Sequence, residues 1–296
     1  MSISRQNLTV IIVSFMSEKV IHDCISSVPK DVKIIVVDNS NNKYFKDEVE
    51  KKYNNVRCIL SENNLGMGAG NNYGLNEIDT DYGFIINPDV VLRDNTIDEI
   101  IIASKEIDSF SIIAPIMEEK DYPNFKLSKK KEIKDLNNEP FKVDSVDGFA
   151  MLLNLPRLNK LENFSSKKYF DENIFLYLEN DDLCKRVSES GENIYVVPNS
   201  KIKHLGAKAV DEKYKHEIEL SRNWHWVWSR FYFNKKHNGY IYAFIKVCPI
   251  FISAFFKMLL YSLINNKKKK IYFFRVLGFL NAALGKKSFY RPKIND

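Results

Sequence analysis

The sequence predicts an α/β protein whose first hundred residues form a parallel sheet with short helices between its strands. Three observations carry this. Apolar, β-branched runs of strand length recur at 8–15, 33–40, 56–61 and 82–92. Segments with helical spacing of apolar residues separate them. Two of the runs stop abruptly at acids, Asp38 and Asp89, and ligands in parallel sheets bind beyond the carboxyl ends of the strands.

The elements follow in order. "LTVIIVSF" (8–15) is apolar throughout, as expected of a strand buried on both faces. "SEKVIHDCISSV" (17–28) places Val20, Ile21, Cys24, Ile25 and Val28 on one helical side. "KIIVVDNS" (33–40) is a second strand, 44–53 a polar helix and "VRCILS" a third strand. The glycine-rich "ENNLGMGAGNNYGLNEI" leads toward a helix, and "YGFIINPDVVL" (82–92) reads as one strand interrupted by Asn87-Pro88-Asp89. A turn and a metal-binding carboxylate both explain that interruption. Further on, 96–107 reads as helix, 110–117 as strand, 118–142 as an exposed lysine-rich excursion and 141–155 as strand. Residues 173–191 read as a helix with acids near its start and Gly191 at its end, and 193–206 as a strand and loop ending near His204.

After Asp211 the composition turns aromatic and basic. Residues 240–264 are almost continuously apolar, interrupted by Lys246, Pro249 and Lys257. The length suits a membrane span, but two internal lysines are costly at a bilayer centre. An interfacial helix pair, its lysines reaching anionic head groups, is the expected use. A core helix or a homodimer contact is the competing one.

Composition narrows the classes. The chain has 296 residues, a 45% hydrophobic fraction and a net charge of +6. That allows one large domain or two small ones with a sizeable core. The positive surplus is local, at 129–131, 267–270 and 286–293. These runs flank apolar helices and not a groove-reading motif, so no nucleic-acid partner is expected. The four cysteines are far apart, which argues against a zinc or disulfide framework and fits a reducing cytosol. The N-terminus has no long apolar stretch, so no secretion signal is expected.

Several groups could carry chemistry. Gly66, Gly68, Gly70 and Gly74 form no dinucleotide fingerprint and no P-loop, but they would let backbone approach a bulky ligand. Asp38 could accept from a base or a ribose hydroxyl. Asp89, on what reads as a neighbouring strand, could bind a divalent cation that also holds two phosphates. Glu179, Asp181 and Asp182 crowd a helix start, as capping acids or as a general base. His204 becomes a ligand only if the fold returns it to Asp89.

In order, "IIVVDNS", "NNLGMGAGNNYGL", "FIINPDVVL", "VDGFAMLL", "FDENIFLYLENDDLCKRV" and "VVPNSKIKHLG" resemble the inverting glycosyltransferases of family 2. The likeness is greatest to rhamnosyltransferase-like members that build bacterial surface polysaccharides. It covers roughly residues 7–235. It implies a GT-A fold, a Rossmann-like mixed sheet flanked by helices. The implied domains are a transferase domain at 1–235 (nucleotide half 1–110, acceptor half 111–235) and a helical, membrane-associating region at 236–296. It also implies roles. Ser14, Asp38, Asn63, Gly66, Asn71 and Asn87 line the nucleotide, and Gly148 and Phe149 wall the donor sugar and acceptor. Asp89 and His204 attend a Mg²⁺ or Mn²⁺ on the diphosphate.

The departure is at the base. The family's Glu-Asp pair reads Glu179-Asn180 here, and an amide cannot take a proton. Asp181 is the first substitute, then Glu179, with Asp182 more structural. The implied reaction is a metal-assisted single displacement with inversion. The donor is a dTDP-, UDP- or GDP-sugar, rhamnose first. The acceptor is a glycan or lipid-linked glycan at the inner face of a bacterial cell membrane, such as a polyprenyl-diphosphate glycan or a lipopolysaccharide core. Two other readings stand beside this. A nucleotidyltransferase would need an N-terminal glycine-rich phosphate loop, and residues 13–20 read "VSFMSEKV". A non-catalytic sugar-nucleotide or membrane-binding module would show no donor turnover.

Overall fold

The computed structural model describes residues 2–119, 123–127, 138–164, 166–205 and 214–292. Most of the 118–142 excursion, including Lys129-Lys130-Lys131, lies outside them, as do Asp211 and Lys293. The chain forms two compact units, Met1–Asp171 with Asn180–Val210, and Glu172–Glu179 with Asp211–Asp296.

Among the described residues the first unit is built on a mixed sheet of nine strands flanked by helices. Strands β1 (Leu8–Ser14), β2 (Lys33–Asp38), β3 (Val56–Leu60) and β4 (Tyr82–Ile86) run parallel in the order β3-β2-β1-β4. Every residue of β1 is buried, because its two faces meet different cores. Val10 and Ile12 pack with Ile21, Cys24 and Ile25 of α1 (Glu18–Ser27) and with Phe45 and Val49 of α2 (Lys43–Lys52). Ile11 and Val13 face the opposite core, with Leu75 of α3 (Gly66–Asn76). The side-chain period of two thus sends one apolar run into two layers.

The glycines of α3 explain its closeness to the sheet. A Cβ on Gly70 would stand 2.9 Å from Val13 Cγ1, and one on Gly74 would stand 2.6 Å from Ile11 Cγ2. Both glycines lie inside the helix, where the sequence suggested they precede it.

The segment 82–92 is two strands. Asn87 O accepts from Val90 N at 3.1 Å, closing a turn around Pro88. Proline has no N–H to extend the ladder. The following strand, β5 (Val90–Leu92), joins the far edge of the sheet. Strand β1 also stands between β2 and β4, so the strands carrying Asp38 and leading to Asp89 are not neighbours. Beyond β4 the sheet continues through β10 (Ala150–Asn154), β6 (Ile112–Met117), β11 (Ile194–His204) and β5. Helix α4 (Thr96–Glu106) connects β5 to β6.

The stretch 141–155 is also broken. Strand β7 (Phe125–Lys126) pairs with β9 (Ser145–Val146), while β8 (Phe141–Lys142) pairs with β11. The short α5 (Leu155–Leu158) follows β10, and α6 (Glu179–Glu189) precedes β11. Helix α6 starts six residues later than 173, the expected start.

The second unit is helical: α7 (Lys215–Asn238), α8 (Tyr240–Ile264) and α9 (Asn266–Ala283). Gly239, with φ +86°, separates α7 from α8, and the Asn265 side chain caps α9 by accepting from Lys268 N at 3.0 Å. Trp224, Val227, Trp228 and Phe231 pack against Ala243, Val247 and Phe279. Trp224 and Trp228 are 1% and 2% exposed, so their rings are core and present no face to a sugar. Helix α8 continues through Pro249. It is long and apolar enough to cross a membrane, and only 11% of its most apolar window is buried.

Candidate active site

The carboxyl ends of β1, β2 and β3 hold the first group of candidate residues. Ser14 pairs in register with Asp38, and Asp38 with Leu60. Ser14 is buried, and its carbonyl accepts from Asn39 N at 2.8 Å. Asp38 is 1% exposed. Its Oδ1 accepts from Ser40 N (3.2 Å) and its Oδ2 from Asn42 N (2.8 Å). Burial pushes its pKa up, and those backbone N–H groups pull it back.

Asn39 escaped sequence reasoning. Its Nδ2 donates to Gly66 O (3.1 Å), and its Oδ1 accepts from Ser61 Oγ (3.1 Å) and Leu65 N (3.3 Å). One buried amide therefore ties the 61–66 loop to the end of β2. Ser61 also donates to the carbonyl of Asn63, whose side chain is exposed. Gly66 has φ +82°, the left-handed conformation that glycine adopts without strain. Asn72 is structural, bonded to the Phe170 backbone through both amide atoms (2.9 Å each). Asn71 is different: its Oδ1 is buried with no hydrogen-bond partner among the described residues.

The second group gathers at the turn after β4. Asn87 N donates to Phe149 O (2.9 Å), and the Asn87 carbonyl accepts from Cys24 Sγ at 3.5 Å. Asn87 Oδ1 is the other buried amide oxygen without a partner. Such orphans are costly, and each calls for an explanation. Asp89, 5% exposed, has Oδ1 3.3 Å from His204 Nε2, and its carbonyl accepts from Leu205 N at 2.9 Å. The antiparallel pairing of β5 with β11 sets His204 against Val90 and so returns it to Asp89. Phe149 stacks on His204, ring centroids 4.3 Å apart. Asp89, His204 and Phe149 therefore form one cluster. Among the described residues no group of three or more His, Cys, Asp or Glu side chains is placed to hold a metal. Two donors still suit Mg²⁺ or Mn²⁺ when phosphate oxygens complete the shell.

The third group surrounds the start of α6. Tyr177 and Leu178 have φ of 70° and 69°, rare for residues other than glycine, so the backbone enters Glu179 through a strained turn. Burial pushes the Tyr177 phenol pKa up, and Glu179 adds to this. Asn180 Nδ2 donates to Val146 O at 2.8 Å. Its Cβ lies 3.0 Å from where a Cβ on Gly148 would stand, which explains glycine there. Asp181 Oδ1 meets Lys126 Nζ at 2.5 Å and Ser145 Oγ at 3.0 Å. Asp182 is fully buried and accepts from Arg186 Nε at 2.8 Å. Asp147, half-buried beside Gly148, was not anticipated. Burial pushes its carboxyl pKa up, against Lys126 and His204, and Asp181 pushes it further.

Residues 9–156, half of the chain, match the family described as Glycosyl transferase family 2. The chain belongs to glycosyl transferase family 2. The family-2 match includes Asp38, Asn87, Asp89 and Phe149, and His204 lies beyond its end. The chain is 25% identical over 206 residues to the low-salt glycan biosynthesis hexosyltransferase Agl10 of Haloferax volcanii, covering 64% of each protein. The fold resembles three solved structures. GalNAc-T7 with UDP, GalNAc and Mn²⁺ has a TM-score of 0.54 at 15% identity, over 79% of this chain and 52% of that one. S. aureus TarS 1–349 in complex with UDP has a TM-score of 0.51 at 16% identity, over 98% and 94%. The mannosyltransferase PcManGT from Pyrobaculum calidifontis, with GDP-Man and Mn²⁺, has a TM-score of 0.54 at 10% identity, over 95% and 88%.

Proposed function

We propose that this chain is an inverting hexosyltransferase that moves a sugar from a nucleoside-diphosphate donor to a hydroxyl of a glycan or lipid-linked glycan. The observation that carries the reading is the Asp89–His204 pair at 3.3 Å beside the unpartnered Asn87 oxygen, just beyond the carboxyl end of a buried parallel strand in a family-2 chain. In this reading Ser14, Asp38, Asn63, Gly66, Asn71 and Asn87 line the nucleotide. The free oxygens of Asn71 and Asn87 accept from it, and Gly148 and Phe149 wall the sugar.

Asp89 and His204 would hold Mg²⁺ or Mn²⁺, and the bound ion would supply positive charge against the diphosphate as the leaving group departs. Mn²⁺ accompanies both GalNAc-T7 and PcManGT. The donor carrier is one of dTDP, UDP or GDP. Rhamnose on dTDP is the first donor to test; UDP and GDP-Man, bound by TarS and PcManGT, follow.

The helical unit suits a lipid-linked acceptor at the cytoplasmic face of a cell membrane. Ile241, Ile245, Phe256, Leu260 and Leu263 of α8 are exposed, and Lys267–Lys270, in the first turn of α9, follow the end of α8 that carries Leu260 and Leu263. Apolar side chains next to a lysine run match an anionic lipid surface.

Isothermal titration of dTDP, UDP and GDP, with and without Mn²⁺, tests the reading on wild type and Asp89→Ala. Metal-dependent binding of one nucleotide, abolished in the variant, is expected. No nucleotide binding under any condition would overturn it. The binding-module reading is favoured by one observation, the amide at Asn180, and donor turnover by the wild type would exclude it.

A further inference from the structure

We infer that the helical unit carries a discrete binding site for the phosphate head group of a lipid, formed by a ladder of cations and aromatic rings. The inference deepens the membrane part of the proposed function and does not depend on the transfer chemistry.

The ladder runs over three helices. Arg230 of α7 lies over the ring of Trp226, one turn earlier on the same helix, with its guanidinium carbon 4.2 Å from the centroid. Arg275 of α9 lies over that ring too, at 5.2 Å, and over Tyr272 at 5.4 Å. Lys257 Nζ of α8 stands 5.5 Å from the Tyr272 centroid. Tyr272 stacks on Tyr261 of α8, centroids 5.5 Å apart and planes 3° from parallel. Lys268 Nζ of α9 stands 5.2 Å from the Tyr261 centroid. Arg275 is fixed further by its Nε–H, which donates to Asn223 Oδ1 at 2.6 Å. Arg230, Lys257 and Lys268 are exposed, and the three rings are half-buried.

A ring holds a cation through its quadrupole and carries no net charge. The ladder therefore orients positive charge without neutralising it. No carboxylate neutralises it either. The sequence has no Asp or Glu between Glu219 and Asp296. Among the described residues none of Arg230, Lys257, Lys268 and Arg275 has a carboxylate oxygen within 4.0 Å. Two cations share the Trp226 ring and two share the Tyr272 ring, so like charges are held near one another. An anion bound among them relieves that repulsion, and arginine meets phosphate oxygens with paired N–H donors.

The neighbouring side chains select a lipid over a free ion. Phe256 and Leu260 are next in sequence to Lys257 and Tyr261, and Phe273 is next to Tyr272; all three apolar side chains are exposed. Trp and Tyr rings favour the head-group level of a membrane. A phosphate carried on acyl chains meets both the charges and the apolar surface. Inorganic phosphate meets the charges alone. Apart from Lys268, the ladder residues lie outside the lysine run at 267–270. That run attracts by total charge, whereas the ladder also depends on rings that carry none.

The test is co-sedimentation of the full chain with phosphatidylcholine vesicles doped with phosphatidic acid, or with oleate to the same surface charge. Wild type is expected to bind the phosphatidic acid vesicles at least about tenfold more tightly. Tyr272→Leu leaves the net charge alone and should weaken that binding about fivefold, while Tyr272→Phe should stay within about twofold of wild type. Arg230→Gln with Arg275→Gln should cost at least about tenfold more than Lys286→Gln with Lys287→Gln, which removes the same charge elsewhere on the unit. Arg230→Gln alone changes an exposed side chain and should still cost about fivefold, which covers the case of a double variant that melts early. Equal binding to the two vesicle types, or equal losses from the two double variants, overturns the inference and leaves a diffuse attraction. Displacement from the vesicles by inorganic phosphate at matched ionic strength overturns the lipid assignment in favour of a free-anion site. A wild type that binds no vesicle removes the inference and the membrane part of the reading together. Nucleotide titration of the same variants should match wild type, so the transferase reading stands or falls separately.

Discussion

Removing the Asp182 carboxylate should damage the fold and leave the chemistry alone, separating it from the other acids of α6. Its side chain is 0% exposed and its partner Arg186 13% exposed, with 2.8 Å between Oδ2 and Nε. Arg186 also donates to the carbonyl of Tyr169 and lies over the Phe164 ring, 4.6 Å from its centroid. In Asp182→Ala the guanidinium stays desolvated and keeps a carbonyl and a ring, but loses its counter-charge. Breaking such a buried pair costs about 3–5 kcal/mol. At roughly 2–4 °C per kcal/mol for a unit of this size, Tm should fall by about 6–20 °C. Circular dichroism melts measure this directly. Asp182→Leu with Arg186→Met should recover most of the loss, because the apolar pair leaves no uncompensated charge. Below the variant's melting range, its nucleotide affinity should match wild type. An Asp182→Ala protein that melts with wild type but has lost turnover by about 10²-fold or more would refute the argument and make Asp182 a chemical group.

Two further outcomes are expected. His225 is buried between Phe175 and Trp224, ring centroids 4.5 and 4.7 Å away, with Nε2–H donating to Tyr290 O at 2.9 Å. Burial, aided by Arg291, pushes its pKa down to about 3. Below the ordinary value near 6.5 the unfolded chain takes the proton first, so this stability is complete above that pH and is lost as pH falls toward about 3. The helical unit should be less stable by about 2 kcal/mol at pH 5 than at pH 7. His225→Gln should flatten that slope in urea melts, and an unchanged slope would reject the account. Lys267–Lys270 should draw α8 and α9 to anionic vesicles at about 1 kcal/mol per lysine. Changing all four to Gln should weaken flotation with phosphatidylglycerol vesicles about a thousandfold at low salt. Equal flotation with phosphatidylcholine would reject the electrostatic part. A stable dimer in buffer that ignores vesicles would assign the apolar face to a second copy.

What the sequence revealed depended on whether the signal was local. β1, β2 and β4 are legible because strands buried on both faces must be apolar throughout, as Val10 to Val13 are. The Asp89–His204 pair was readable only from the order of the motifs, since β5 crosses to the far edge before β11 returns the histidine. The glycines misled in part. Gly70 and Gly74 serve the approach of α3 to β1, and of the glycines in 66–74 it is Gly66 that has the left-handed conformation. Asn39 lies in the run 33–40 that reads as strand, and nothing nearby in sequence announces that Ser61, Leu65 and Gly66 come back to its amide.

Asp147 went unnoticed for a related reason. The stretch 141–155 reads as continuous strand, where an acid would be an outward-facing residue of no consequence. Its break between β9 and β10 comes from pairing with β7 and β4, partners distant in sequence. The loss at Asn180, by contrast, was plain from the motif. A missing carboxylate read in one dimension suggests a dead site or a shift by one residue along α6. In three dimensions the residues beside Asn180 include 146–148 as well as its own helix. The chemistry lost with that carboxylate can therefore be supplied from another element as well as from α6.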